Sequence, residues 1–180
     1  MSPVYNETHR WAWLLGVGAA VILVDQLTKW WAVEGLEGGE IVQLVWTLQL
    51  RLVRNDGAAF SLASGLTPLI TIAAIAISVA LVVAARKISR PSVLVAMGLI
   101  LGGALGNVID RFFRPGDGFM RGHVIDFFDL QWWPVFNIAD MAIVIGGFLL
   151  VMLLTDKGGE PEAESASGKI VGDDGPERRG

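Results

Sequence analysis

Two aspartates stand where carboxylates are hard to explain. Asp126 lies in VIDFF and Asp140 in NIADMA, each among apolar neighbours and without a lysine or arginine within four positions. Two carboxyls brought together away from water cannot both ionise cheaply, because desolvation and like-charge repulsion push one of them toward its neutral form. Such a pair shares a proton near neutral pH. One member can then take a proton from water while the other gives one to a leaving group, which is the chemistry of an aspartic protease. His123 makes metal ligation a competing use of these acids. With two histidines, zero cysteines and no HExxH spacing, however, no zinc site is expected. A serine nucleophile lacks its Gly-x-Ser-x-Gly elbow. The expected chemistry therefore uses neither metal nor cofactor.

Other polar residues in apolar surroundings have two readings each. Asp25 and Lys29 are i, i+4 on one helical face, so they either neutralise each other or serve a site. Asp110 and its neighbour Arg111 could form an interfacial ion pair. Asn107 and Asn137 could cap helices, bridge them, or meet a substrate. Asp56 reads as a solvated turn residue, and His123 and Asp129 as ordinary interfacial groups.

These residues must be positioned by membrane spans. Of the 180 residues 53% are apolar and 18% charged, and the mean hydropathy is +0.54, beyond the average of about 45–50% apolar and 25% charged for soluble domains. Four stretches are long enough to cross a hydrocarbon core, at about residues 11–33, 67–85, 92–110 and 137–155. The first has Gly18, Ala19 and Ala20 inside its apolar run and no convincing cleavage site after it, so it reads as a retained span. The link RKISRP carries Arg86, Lys87 and Arg90 without an acid, which places it and both termini in the cytoplasm. The links 34–66 and 111–136 then face outward.

Counting along the spans puts several polar groups in one layer. Asp25 lies 14 residues beyond Trp11, Asn107 15 beyond Ser92, and Asp140 14 before Leu154. At about 1.5 Å per residue all three sit roughly 21–22 Å from the inner boundary of a core about 30 Å thick. Three helices thus offer polar groups near the outer leaflet. Between them, Leu48–Val53 alternates as a short half-buried strand, and Asn55-Asp56-Gly57 reads as a turn. Aromatic residues crowd the link 111–136, which suits the membrane surface. Residues 156–180 are polar and rich in Gly and Glu, as expected of a disordered cytoplasmic tail. They hold much of the acid behind the net charge of −4. The remainder is nearly neutral, and nothing invites nucleic acid. Without cysteine there is no disulfide and no S-lipid anchor.

Five strings, in order, carry a resemblance: VDQLTKWW (24–31), RNDGAAFSL (54–62), GALGNVIDR (103–111), GHVIDFFD (122–129) and FNIADMAIVIG (136–146). Together they resemble the motifs of the lipoprotein signal peptidase (signal peptidase II) family. The resemblance implies an all-α integral membrane protein of four transmembrane helices, with a small extracytoplasmic β-cradle and an interfacial helix or loop. It implies an aspartic endopeptidase of the bacterial plasma membrane. Such an enzyme cuts diacylglyceryl-modified prolipoproteins just before the lipidated lipobox cysteine and is sensitive to globomycin. The family's catalytic pair falls on Asp126 and Asp140. Asp25, Lys29, Asn55, Gly57, Asn107, Asp110, Arg111 and Asn137 fall on positions that support the site or bind substrate. The expected partners are the prolipoprotein and membrane lipids, with the enzyme acting as a monomer whose peptidase domain spans residues 1–155. Two other classes would use the same acids. An ion-coupled transporter predicts midplane sites and repeats, neither of which is visible. A helix-gluing scaffold predicts no cleavage.

Overall fold

The computed structural model describes residues 7–57, 66–116 and 118–155. The tail expected at 156–180 lies outside the described residues. The order is α1 (Glu7–Leu36), β1 (Ile41–Val45), β2 (Leu48–Asn55), α2 (Thr67–Ala85), α3 (Pro91–Phe113), β3 (Val124–Asp129) and α4 (Ile138–Thr155). All four helices are long and apolar enough to cross a membrane, and the protein is a multi-pass membrane protein. Proline at the first turn of α2 and of α3 starts each helix without losing a hydrogen bond.

The helix α3 is the centre of the bundle and packs against α1, α2 and α4. It can do so because it is lined with small residues, which let helices approach in lipid where no hydrophobic effect drives them together. A Cβ at Gly98 would lie 2.8 Å from the Leu14 carbonyl oxygen, and one at Gly102 2.6 Å from that of Gly18. On the opposite face, Gly103 meets Ala139 and Ile143 of α4. Most of α3 is buried, whereas α1, α2 and α4 leave most of their apolar surface outward, facing the lipid that solvates them.

Side chains fix which ends lie together. Arg10 Nη1 donates to the Arg86 carbonyl (2.5 Å) and Arg90 Nη1 to that of Leu153 (3.2 Å), gathering the start of α1, the α2–α3 link and the end of α4. The sheet closes the other end. Its strand order is β1-β2-β3, antiparallel throughout. The last turns of α1 reach it: Ala32 and Leu36 pack with Leu50, Ile125 and Phe127 in one buried cluster.

The links differ from the sequence reading in two ways. The strand expected at 48–53 runs on to Asn55, and β1 joins it through a hairpin with Trp46 at φ 52°. The aromatic link does not simply lie on the membrane surface, because VIDFFD pairs with β2 and Phe127 is buried. Pairing satisfies the backbone, and a strand flanked by helices loses the alternation that marks a half-exposed one. Outside the strands and the ends of α1 and α3, the described residues of both outer links form turns and loops, in keeping with the loop alternative expected there. Residues 58–65, in the first of them, lie outside the described residues.

Candidate active site

Asp126 is placed by β3, opposite Val53 of β2, and is only 2% exposed. Asp140 is placed by the first turn of α4. Asn137 precedes that helix, and its Oδ1 accepts from the Asp140 backbone N–H (2.9 Å) while Asp140 Oδ2 accepts from the Asn137 N–H (3.2 Å). This is a reciprocal capping box with aspartate as its acidic member. The helix N-terminus favours negative charge there.

Asn137 also joins the two acids. Fully buried, it donates through Nδ2 to Asp126 Oδ1 at 2.7 Å. One residue thus holds Asp140 with its backbone and Asp126 with its side chain. Each carboxyl has a second amide partner: Asn55 Nδ2 donates to Asp126 Oδ2 (2.8 Å), and Asn107 Nδ2 to Asp140 Oδ1 (2.8 Å). Burial pushes the Asp126 carboxyl up to about 7. The Asn55 hydrogen bond opposes this, the nearby Asp140 adds to it, and the Asn137 bond and Lys29 charge oppose it.

Beside the pair lies an ionic cluster with a buried centre. Lys29, with no exposed surface, is 2.8 Å from both Asp25 Oδ2 and Asp110 Oδ2. Arg114 Nε donates to Asp110 Oδ1 (2.7 Å), so two acids balance two bases. Lys29 also donates to Asn107 Oδ1 (3.0 Å), the amide whose nitrogen holds Asp140. Asp25 Oδ1 in turn accepts the Ala139 N–H at the start of α4 (3.0 Å). Asp25 and Asn107, placed in one layer by residue counting, both contact the start of α4 and are bridged by Lys29.

Asp110 and Arg111 do not pair. Successive residues on a helix diverge by about 100°, so Asp110 turns to Lys29 and Arg111 to the sheet. There Arg111 Nη1 donates to the carbonyls of Asn55 (3.0 Å) and Gly122 (3.2 Å). Gly57 accompanies Asn55 in an Asx turn, its N–H donating to Asn55 Oδ1 (2.8 Å) at φ +94°, where a side chain would be strained and would strike Thr67.

Several participants escape a reading of the sequence. Asp56 is not merely solvated: its carboxylate pairs with His123 Nδ1, and its carbonyl accepts from Thr67 Oγ1. Gln26 Nε2 lies 3.2 Å from Asp25, Gly106 and Asp110 acceptors, and the only signal was its place beside Asp25 in an apolar run. Asp129 accepts from Gln49, Arg51 and the Gln131 N–H, which hold its carboxyl below the usual range against the opposing effect of burial.

Both candidate acids open on one cavity of about 310 Å³. Asn55, Asn107, Arg111, Asp126 and Asp140 form its polar end. Ile70, Ala74 and Ile77 of α2, Ile100 of α3 and Ile143 of α4 form an apolar wall. Since α2 packs chiefly on α3, the cavity lies in the gap between α2 and α4.

The chain resembles known proteins over most of its length. It is 49% identical over 154 residues to the lipoprotein signal peptidase of Rhodococcus jostii, covering 84% of this chain and 77% of the relative. It is 45% identical over 154 residues to that of Mycobacterium avium, covering 84% of each. A bacterial membrane enzyme solved by the in meso method superposes with a TM-score of 0.67 at 32% identity, over 83% of this chain and 92% of that one. The family model described as signal peptidase (SPase) II matches residues 17–155. With that match taking in most of α1, the other three helices, the sheet, Asp126 and Asp140, this chain belongs to the signal peptidase II family of proteases.

Proposed function

We propose that this chain is an intramembrane aspartic endopeptidase that removes signal peptides from diacylglyceryl-modified prolipoproteins, cutting just before the lipidated cysteine. Asp126 and Asp140 are the catalytic pair. The observation that carries this reading is Asn137, which joins the two carboxyls at the polar head of a cavity whose wall is apolar. The lipoprotein signal peptidase names of the relatives supply the substrate class.

Asp126, raised to about 7, is the acid that holds the shared proton, and Asp140 at the helix N-terminus is the base. Asp140 takes a proton from water as the water oxygen bonds to the scissile carbonyl carbon. The carbonyl π electrons move to oxygen, and the Asp126 proton stabilises the resulting oxyanion. When the C–N bond breaks, the proton on Asp140 goes to the departing amine of the lipidated cysteine, and Asp126 recovers its own. Arg111 and Asn55 at the cavity wall hold the substrate backbone. The signal helix lies along Ile70, Ala74 and Ile77, with its acyl chains in the bilayer.

The cationic end formed by Arg10, Arg86, Lys87 and Arg90 supports an orientation with both termini in the cytoplasm of a bacterial cell. The site then faces the outer leaflet of the plasma membrane. A monomer suffices, since every residue named comes from one chain, and membrane lipids are its remaining partners.

The test uses the purified full chain, a lipidated lipobox peptide, an unlipidated control and mass spectrometry of the products. Cleavage before the modified cysteine, inhibited by globomycin, is expected. Asp126→Asn and Asp140→Asn should each lower kcat by about 10³-fold or more. Intact peptide with the parent enzyme, or near-normal turnover by either variant, overturns the reading.

A further inference from the structure

We propose that Asp56 and His123 form a clasp that positions Asn55 against Asp126, making both of them positioning residues for the peptidase reaction. The inference rests on the function proposed above. Register places the pair: Asn55 faces Val124 at the last rung of the β2–β3 ladder, so Asp56 and His123 meet one step beyond it. Their side chains are in contact. Asp56 is also tied to α2, since its carbonyl accepts from Thr67 Oγ1, and His123 to the α3 exit, since its N–H donates to the Pro115 carbonyl (3.0 Å). The clasp therefore joins four segments where the ladder would otherwise fray.

What it immobilises is Asn55. That side chain donates to Asp126 and accepts from the Gly57 N–H, and its backbone carbonyl accepts from Arg111. Asn55 is the end residue of its strand, and terminal rungs open most readily. Without a tie beyond it, the amide would spend part of its time away from Asp126. The charged groups around Asp126 are Asp140 and Lys29, with Arg111 within electrostatic reach of Asp126, Asp140, Asp110 and Asp56.

The sign of one measurement separates positioning from plain charge. Deleting the Asp56 negative charge would by Coulomb's law ease ionisation of Asp126 and lower its titration midpoint. Releasing Asn55 withdraws a hydrogen bond that favours the ionised form, and raises it. The experiment follows the Asp126 carboxyl by ¹³C NMR in the full chain, together with kcat and KM on the lipidated peptide. In Asp56→Ala the midpoint should rise by about half to one pH unit, kcat should fall about 5–20-fold and KM should stay within about two-fold. His123→Ala should match it in rate, the double alanine variant should be no worse than either single, and exchanging the pair (Asp56→His with His123→Asp) should recover most of the activity. An unmoved or lowered midpoint in Asp56→Ala, or fully additive losses, overturns the clasp. If Asp56→Ala does not fold, the same titration in Asp56→Ser, which also deletes the charge and is too short to reach His123, decides, a rise supporting the clasp and an unmoved or lowered midpoint overturning it. Should the parent enzyme leave the peptide intact, the peptidase reading falls, while the titration still decides the clasp.

Discussion

Asp126 and Asp140 share a partner in Asn137 but not an environment. Asp126 is enclosed by the sheet, and Asp140 sits on the first turn of a helix that favours its charge. In the proposed mechanism this asymmetry divides acid from base. Peptide cleavage should therefore fall as pH rises past about 7, where Asp126 loses its proton, and pH–rate profiles of kcat check it. Stability follows the same group. Its folded pKa lies above the ordinary 3.8, so the native state binds more protons between about 4 and 7, and stability is lost as pH rises through that window. The loss is at most about 4 kcal/mol. Thermal unfolding at pH 5 and pH 8 should show it, and Asp126→Asn should flatten the difference.

Elements deliver the two acids by unlike devices, a strand register and a helix cap. Asn137→Ala removes the cap and the side-chain contact to Asp126, while the backbone N–H that meets Asp140 stays. It should cost about 1–2 kcal/mol in unfolding free energy and lower kcat about 100-fold or more, as measured by denaturation and peptide cleavage side by side. The seat of α4 against α3 is equally demanding, because a Cβ at Gly103 would lie 2.8 Å from Ile143 Cγ1 and closer still to the Ala139 carbonyl. Gly103→Val should displace the turn carrying Asp140 and abolish cleavage, whereas Gly147→Ala, where a Cβ meets nothing within 4 Å, should be silent. The strand β3 was missed in the sequence because VIDFFD is buried along nearly its whole length and shows no alternation. The spans were legible because apolar length alone requires them.

At the scale of the molecule, the cavity between α2 and α4 is the proposed lateral route for substrate. Ala74→Trp should fill it and raise KM for the lipidated peptide about ten-fold. Orientation can be read directly, because the chain has no cysteine of its own. A single cysteine at Thr47 should react with an impermeant reagent added outside cells, and one at Lys87 only after permeabilisation.

Much of this protein is written in one dimension. Apolar runs of bilayer length fix four helices, and carboxylates among apolar neighbours without a base nearby mark Asp126 and Asp140, since charge in that setting is costly without a purpose. Counting residues along a helix even assigns a depth, because its rise is constant. Pairing between groups distant in sequence is another matter. That Asp110 turns to Lys29 rather than Arg111, that Asn137 reaches both acids, and that Asp56 meets His123 depend on helix rotation and strand register. Packing of the whole chain sets those variables, and no local spacing encodes them.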